Sequence, residues 1–479
     1  MRAPGGRLPV WAWVVGFHAV CFLAAFVLHQ GRLVAYAYPA GAVVCCALLL
    51  RRRETADFLV FTLWLWFLGP EMRRVVDFGV GWTPKSTVML AMPVASCVCL
   101  VPALRAHRRV APDMTRALAT ALTAVVFAFV TGALVNGKAP ALGGLLDWLP
   151  PVLVGAWAAG AGPETPVLRR ALERTALWGA IVLGAYGLVQ FLVLPEWDAF
   201  WMRNAPINSI GNPHPFQVRV FGTLNSPNPY GAVLGALLIM VLAGARSRGR
   251  ALATAAGVVG IGLSLVRTAW LGIVIAVGAL ARAGRTRALV AIVLAATLTV
   301  VGLAFVGGPV GEAIGERVAN SYQSGGKDKS LNDRTDVYRK TLPVVLGSAT
   351  GKGLGSTGVS TKLSNAQGKP GAAGTFDSGL LEVLYTYGLP LGLVLLVVLL
   401  LAVCAAWRRA RESDDDFLVA CGAAVAGLLV QLLLGNPLTG APGVLFWVLL
   451  ALLSRVRGSG TPVAGASLAE QGRRSRTLV

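Results

Sequence analysis

The chain has 479 residues, of which 55% are hydrophobic and only 14% are charged. A soluble domain carries about 25% charged residues, so this composition excludes an ordinary soluble protein. The formal net charge is +21, but much of the excess is arginine in short clusters between apolar runs. That pattern is typical of cytoplasmic loops in membrane proteins, and we expect no nucleic-acid partner.

Long apolar runs recur along the chain, and a run of about 20 apolar residues crosses a lipid bilayer as a helix. The first run, within MRAPGGRLPVWAWVV, is too long for a signal peptide and is expected to stay as a span. Between successive basic clusters there is room for two spans, which predicts about 12–14 transmembrane helices. The fold class is therefore an all-α, polytopic integral membrane protein with both termini cytoplasmic. The clusters lie at 51–53, 105–109, 169–174, 246–250, 282–287, 408–411 and 455–457.

Four parts follow from this pattern. Residues 1–195 form N-terminal transmembrane helices, and 196–410 form a central region with a long extracytoplasmic loop at 307–376. Residues 411–457 form the C-terminal transmembrane helices, and 458–479 form a disordered cytoplasmic tail. The long loop is rich in Gly, Ser, Lys and Asn, and loops of that length are usually functional or disordered.

The stretch between the basic clusters at 250 and 282 is unusually short. It holds roughly 30 residues, whereas two full crossings need about 40. This predicts either two short helices that meet at an apex near Arg267, or a hairpin that does not fully cross. In SLVRTAWLG, Arg267 is flanked by apolar residues and needs an anionic partner.

Several arginines are expected on the outer side, against the positive-inside rule. The short loop expected at 71–85, EMRRVVDFGVGWTPK, holds Arg73 and Arg74. A guanidinium binds phosphate through two hydrogen bonds, so an arginine cluster there suggests a phosphorylated, membrane-bound ligand. Alternatively, Arg73 and Arg74 contact lipid headgroups or pair with Asp77. The other outer cations are Arg219, Arg267, Arg334 and Arg339.

Two carboxylates stand where the long loop ends, in FDSGLLEVLYTYGLPLG. Asp377 comes directly before a long apolar run, and Glu382 lies five residues further. Asp377 is either a helix cap or a base that accepts a proton. Glu382 is expected to pair with an arginine or to contact substrate. The seven Cys and four His show no metal-ligand spacing, and no metal and no cofactor are expected.

The order of four motifs resembles the O-antigen ligase and O-antigen polymerase superfamily. The motifs are RVFGTLNSPNPYG, SLVRTAWLG, NDRTDVYRKTLPVVLGSATGKGLGSTG and FDSGLLEVLYTYGLPLG, and the resemblance covers about residues 200–400. Where ligases have a His-Asn pair, this chain has Asp377 and Ser378. Where ligases have a Ser-Arg pair, it has Val266 and Arg267. The missing His favours a polymerase-like or divergent member.

The resemblance implies a GT-C-like glycosyltransferase in a bacterial cytoplasmic (inner) membrane, which builds an envelope polysaccharide or exopolysaccharide. It would move a glycan from a polyprenyl (undecaprenyl) diphosphate carrier to an acceptor hydroxyl on a glycan, lipid or protein. The reaction would invert the anomeric configuration and need no metal. Asp377 would be the base, with Arg267 and Arg219 stabilising the leaving diphosphate. Arg73, Arg74, Arg334, Arg339 and Glu382 would bind substrate.

Two other functions stay open. A transporter or flippase for a lipid-linked saccharide would place polar groups near the bilayer midplane, whereas the charges here gather at one face. A non-catalytic component of an envelope-polysaccharide assembly is compatible with the missing His.

Overall fold

The structure is a computed structural model that describes residues 9–106, 110–205, 210–244, 249–284, 339, 341–364, 376 and 378–456. Within these ranges the protein is helical and has no β-strand. Gly211 and Val218 form an isolated antiparallel bridge. The predicted all-α fold is therefore confirmed.

The helices are named here in chain order. They are α1 Val10–Phe22, α2 Gly31–Arg51, α3 Thr55–Val80, α4 Ala91–Cys97, α5 Leu100–Ala106, α6 Pro112–Val135, α7 Lys138–Gly160, α8 Thr165–Leu192, α9 Glu196–Asn204, α10 Pro227–Ala243, α11 Gly249–Ser264, α12 Arg267–Arg282, α13 Gly379–Tyr387, α14 Leu389–Arg411, α15 Asp416–Val430 and α16 Gly440–Ser454. A short 3-10 helix, Val359–Ser364, precedes α13.

In the part of the chain that the structure describes, 8 helical segments are long and apolar enough to cross a membrane. Three shorter apolar helices are α10, α11 and α16. The protein is therefore a multi-pass membrane protein, as its composition predicts. Because residues 285–338 lie outside the described ranges, the total of 12–14 spans stays a prediction.

One end of the helix bundle is held together by arginines, and we call it the basic end. Arg169 Nη2 lies 2.9 Å from Asp415 Oδ1, which joins α8 to the start of α15. Arg409 Nη2 on α14 lies 2.6 Å from Asp113 Oδ2 on α6. Arg455 donates hydrogen bonds to backbone carbonyls where α7 turns into α8. These residues belong to the clusters expected at the cytoplasmic side.

The opposite end, which we call the loop end, gathers the long connections. Asn136, after α6, donates to the carbonyls of Lys352 at 2.7 Å and Leu354 at 3.1 Å. A Cβ on Gly132 would lie 2.1 Å from the Leu354 carbonyl oxygen. The segment at 349–364 therefore packs directly on α6, and only a glycine permits this approach.

The short stretch between the basic clusters forms two helices that meet at an apex. Each of α11 and α12 has 16 residues and is about 24 Å long, less than a full bilayer core. Leu265 turns the chain with a left-handed φ of 51°, and Arg267 is the first residue of α12. The prediction of two short helices with an apex near Arg267 is confirmed.

The prediction of a loop at 71–85 is wrong over most of that range. Helix α3 continues to Val80, so Arg73 and Arg74 are helical and buried. Their charges are matched by acidic residues of the same helix, Glu71 at i−3 from Arg74 and Asp77 at i+4 from Arg73. Because each arginine is paired with a carboxylate about one turn away, α3 accommodates four charged residues and stays helical.

Candidate active site at the loop end

Arg74 is fully buried and surrounded by partners from the protein itself. Its guanidinium donates to the carbonyls of Leu224 at 2.5 Å and Gly222 at 2.7 Å. Its Nε lies 2.6 Å from Asp198 Oδ1, and Glu71 also pairs with it. Two carboxylates and two carbonyls therefore engage this cation. The contacts indicate that Arg74 holds the chain at 222–224 in place.

A second set of side chains fixes the same segment. The Gln190 carbonyl accepts hydrogen bonds from the backbone N–H groups of Phe221 at 2.9 Å and Gly222 at 3.0 Å. Its amide donates to Asp198 at 2.8 Å, as the Tyr186 hydroxyl does at 3.0 Å. We call Glu71, Arg74, Tyr186, Gln190 and Asp198 the Arg74 network. It joins α3, α8 and α9 to the segment before α10.

Arg73 lies in a second buried polar region nearby. Its Nε is 3.2 Å from Asp77 Oδ2, and its guanidinium carbon is 5.1 Å and 4.7 Å from the ring centres of Trp82 and Trp201. The buried side chain of Lys362 is close enough for the two positive charges to interact. Burial first, and the charge of Arg73 second, lower the pKa of Lys362.

Arg219 fixes the apex that carries Arg267. Its Nε donates to the Ser264 carbonyl at 2.9 Å and its Nη2 to the Leu265 carbonyl at 3.0 Å. These carbonyls lie at the end of α11, where the helix leaves its last acceptors unpaired. Arg267 follows two residues later and is exposed. The structure therefore brings these two predicted site residues together.

Three helices begin around one short loop, the one at 435–436. The Thr268 hydroxyl, in the first turn of α12, donates to Asn228 Oδ1 in the first turn of α10 at 2.8 Å. The Gly379 N–H, at the start of α13, donates to the Gly435 carbonyl at 3.1 Å. A Cβ on Gly435 would lie 2.6 Å from Asn228 Nδ2. We call Asn228, Arg267, Thr268, Gly379 and Gly435 the helix-start cluster.

The helix-start cluster has the electrostatics of an anion site. A helix N-terminus carries a partial positive charge. Three such ends, together with the guanidinium of Arg267, favour a phosphate or diphosphate.

Glu382 lies beside this cluster and is held in one orientation. Its Oε1 accepts from the Thr357 hydroxyl at 3.1 Å, and its Oε2 accepts from Asn436 Nδ2 at 2.9 Å. Asn436 in turn accepts from the backbone N–H of Leu438 at 3.0 Å. Both carboxylate oxygens are therefore anchored by neutral donors. Pairing of Glu382 with an arginine was expected, and these two contacts take its place.

Asp147 on α7 completes this group, and sequence reasoning missed it. Its side chain is exposed and close enough to Glu382 for the two charges to interact. The helix around it, LGGLLDWLPP, is otherwise apolar. A carboxylate inside such a run is costly in a membrane and was the signal that could have found this residue.

Comparison with protein families matches one part of the chain, which contains Arg267 and Glu382. Residues 232–396 match the family model described as O-antigen ligase. This part of the chain is therefore similar to O-antigen ligases, and we refer to residues 232–396 as the O-antigen ligase domain. This match confirms the resemblance to the O-antigen ligase and polymerase-like superfamily of membrane glycosyltransferases. A search of curated proteins finds none that matches.

The O-antigen ligase domain contains Arg267 and Glu382, whereas Arg219 and Asp147 precede it in the chain. Arg339 falls inside the domain and is exposed. Asp377 and Arg334 also fall inside it but lie outside the described residues, and their roles stay predictions. The helices before the domain therefore supply groups that lie next to its own site residues.

Proposed function

We propose that the protein is a glycosyltransferase that moves a glycan from a polyprenyl diphosphate carrier to an acceptor hydroxyl. The observation that carries the proposal is the helix-start cluster, of which Arg267, Thr268 and Gly379 lie in the O-antigen ligase domain. A lipid-linked diphosphate is the anion that such a site would meet at a membrane surface. The acceptor would be a glycan, a lipid or a protein.

The cluster would act on the charge of the leaving group. As the bond between the anomeric carbon and the phosphate oxygen breaks, its electron pair stays on the diphosphate. Fixed positive groups near that oxygen stabilise the transition state more than the ground state. Arg267 would contact the diphosphate, and Arg219 would position Arg267 through the apex.

The acceptor would attack in a single step. Its hydroxyl oxygen forms the new bond to the anomeric carbon while the bond to the diphosphate breaks, so the anomeric configuration inverts. The hydroxyl proton goes to a carboxylate of the site. Asp377 is the residue that sequence predicts for this role. Because arginine carries the positive charge, we also propose that the reaction needs no metal.

The basic end supports one orientation of the protein in the membrane. Clusters of arginine stay on the cytoplasmic side of short loops. The loop end would therefore face outward from a bacterial cytoplasmic membrane, and both termini would be cytoplasmic. The transfer would then occur on the side where lipid-linked glycans meet outer acceptors.

One observation favours a second function. Asp147 lies nine residues into α7, about 13 Å along the helix, which is the depth where a transporter of lipid-linked saccharides would hold polar groups. Transport would move the intact carrier and leave its diphosphate linkage unbroken. The two functions therefore differ in whether free polyprenyl diphosphate forms.

The test uses purified full-length protein in lipid nanodiscs with polyprenyl diphosphate-linked oligosaccharide pooled from its own host. We expect the wild type to release polyprenyl diphosphate, and Arg267→Ala to lower the rate by about 100-fold or more. Arg203→Ala, at an exposed arginine of α9, is the matched control and should keep the rate. Equal rates for Arg267→Ala and the wild type would contradict the charge role. No release by the wild type, with carrier flipping in vesicles, would favour transport.

A further inference from the structure

Asp147 is the carboxylate of this region that the protein leaves open. Within the described ranges it makes no hydrogen bond and no ion pair, and its side chain is exposed. Glu382 differs, since each of its oxygens accepts a hydrogen bond from a neutral donor. Of the two neighbouring acidic groups, one is anchored and the other is available to a bound molecule.

Such a residue is costly to keep in a membrane helix. An acidic residue at the centre of a transmembrane helix costs about 2.5–3.5 kcal/mol for insertion. The charged neighbour that interacts with Asp147 is a second carboxylate, which adds repulsion. Neither the insertion cost nor the repulsion from Glu382 stabilises the fold. We therefore attribute the carboxylate at position 147 to a function.

A buried tyrosine gives an independent sign of a missing partner. Tyr387 is fully buried, and its hydroxyl has no hydrogen-bond partner in the described part of the protein. It is close enough to Glu382 to interact with that charge, and its ring packs edge-on against Trp148 at 5.2 Å. A buried hydroxyl without a partner costs about 1–3 kcal/mol. A polar molecule bound beside Glu382 would remove that cost.

The order of contacts places the carboxylates and the anion site on two sides of one loop. Asn436 binds Glu382, and the preceding residue, Gly435, contacts the starts of α10 and α13. A donor with its diphosphate at the helix-start cluster would therefore present its sugar toward Glu382 and Asp147. An acceptor hydroxyl would approach from the carboxylate side.

We propose that Asp147 is the general base of the transfer reaction. This inference rests on the proposed function and deepens it. The acceptor hydroxyl gives its proton to the Asp147 carboxylate while its oxygen forms the bond to the anomeric carbon. The bond between that carbon and the diphosphate breaks, the electron pair leaves with the diphosphate, and the proton later passes to water. Glu382 is a positioning residue that fixes Asn436 and Thr357 around the sugar.

The decisive experiment compares Asp147→Asn and Asp147→Ala with Asp377→Asn in the same nanodisc assay. We expect Asp147→Asn to lower kcat by about 100-fold or more, while binding of free polyprenyl diphosphate stays unchanged. Added formate should restore part of the rate to Asp147→Ala and none to Arg267→Ala, because a small carboxylate replaces a base but not a cation. Glu164→Gln, an exposed carboxylate at the basic end, is the control.

The outcomes separate this inference from the proposed function. Asp147→Asn removes a charge from a membrane helix, so it should fold at least as well as the wild type, and carrier binding verifies this. A wild-type rate in Asp147→Asn, with a lost rate in Asp377→Asn, would assign the base to Asp377 and overturn the inference alone. Loss of rate without formate rescue and with weakened carrier binding would also overturn it. No release by the wild type would overturn both.

Discussion

Two polar regions at the loop end, the Arg74 network and the surroundings of Asp147, differ in whether the protein supplies partners for their charges. In the Arg74 network, a fully buried guanidinium meets Glu71, Asp198 and two backbone carbonyls. In the second region, around Asp147 and Glu382, Asp147 is exposed and has a carboxylate as its charged neighbour. The charged groups of the first region have partners within the protein. Asp147 in the second region has no hydrogen-bond or ion-pair partner among the described residues, and we expect a bound molecule to supply one.

This difference separates structural charges from chemical ones. A buried ion pair whose partners all come from the protein fixes the positions of chain segments, and breaking it harms folding. A charge that the fold leaves open harms stability and is retained for what it binds. Substitutions in the Arg74 network should therefore change the folded fraction, and substitutions of Asp147 should change turnover.

The largest effect is expected at Arg74. Arg74→Ala leaves Glu71 and Asp198 buried without their cation, and removal of one partner from a buried pair costs about 3–5 kcal/mol. We expect little folded protein, measured by size-exclusion yield and by thermal unfolding in detergent. Arg203→Ala should keep the wild-type unfolding temperature. A stable Arg74→Ala protein that has lost only turnover would show that Arg74 contacts substrate, as its sequence first suggested.

A smaller effect is expected at Arg219, which fixes the apex that carries Arg267. Arg219→Ala removes the donors to the Ser264 and Leu265 carbonyls, so the apex loosens and Arg267 loses its fixed position. We expect kcat/KM for polyprenyl diphosphate release to fall about 10-fold, equivalent to about 1.4 kcal/mol of transition-state stabilisation. Arg219→Lys should keep part of the rate. A loss as large as that of Arg267→Ala would indicate that Arg219 contacts the diphosphate directly.

The sequence predicted the apex well because that argument is local. The distance between two basic clusters and the bilayer thickness together require short helices, and Arg267 lies at their midpoint. The prediction of a loop at 71–85 is wrong for residues up to Val80, because charged residues do not by themselves end a helix. The pairs of Arg73 and Arg74 with Asp77 and Glu71 lie one helical turn apart, and they make those charges compatible with a helix.

The sequence did not identify Asp147 because the evidence for its role is not local. It is a single carboxylate in an apolar run, and its neighbour Glu382 lies in a distant part of the chain. Nothing local to α7 indicates that the two meet. The 354–355 backbone packs directly on α7 because Gly144 has no side chain, and Thr357 of the same segment binds Glu382. Tertiary packing of this kind cannot be read from periodicity or charge.

The smallest effect is expected at the basic end, where charges are paired but partly open to solvent. The side chains of Arg169 and Asp415 are 28% and 29% exposed, and such pairs contribute about 0–1 kcal/mol. Asp415 also caps α15, since its Oδ1 accepts from the Phe417 N–H at 2.9 Å. Asp415→Asn keeps that cap, so we expect a loss of under about 1 kcal/mol, whereas Asp415→Ala should lose about 1 kcal/mol more. Both changes are measured by thermal unfolding.

Turnover of Asp415→Asn tests whether the two ends of the molecule are functionally separate. The basic end holds helices together through pairs formed within the protein, so polyprenyl diphosphate release should stay at the wild-type rate in Asp415→Asn. A decrease as large as that of Arg219→Ala, without a change in unfolding temperature, would contradict this separation. It would mean that charge at the basic end influences turnover at the loop end. The open charge of Asp147 would then no longer suffice to locate the chemistry.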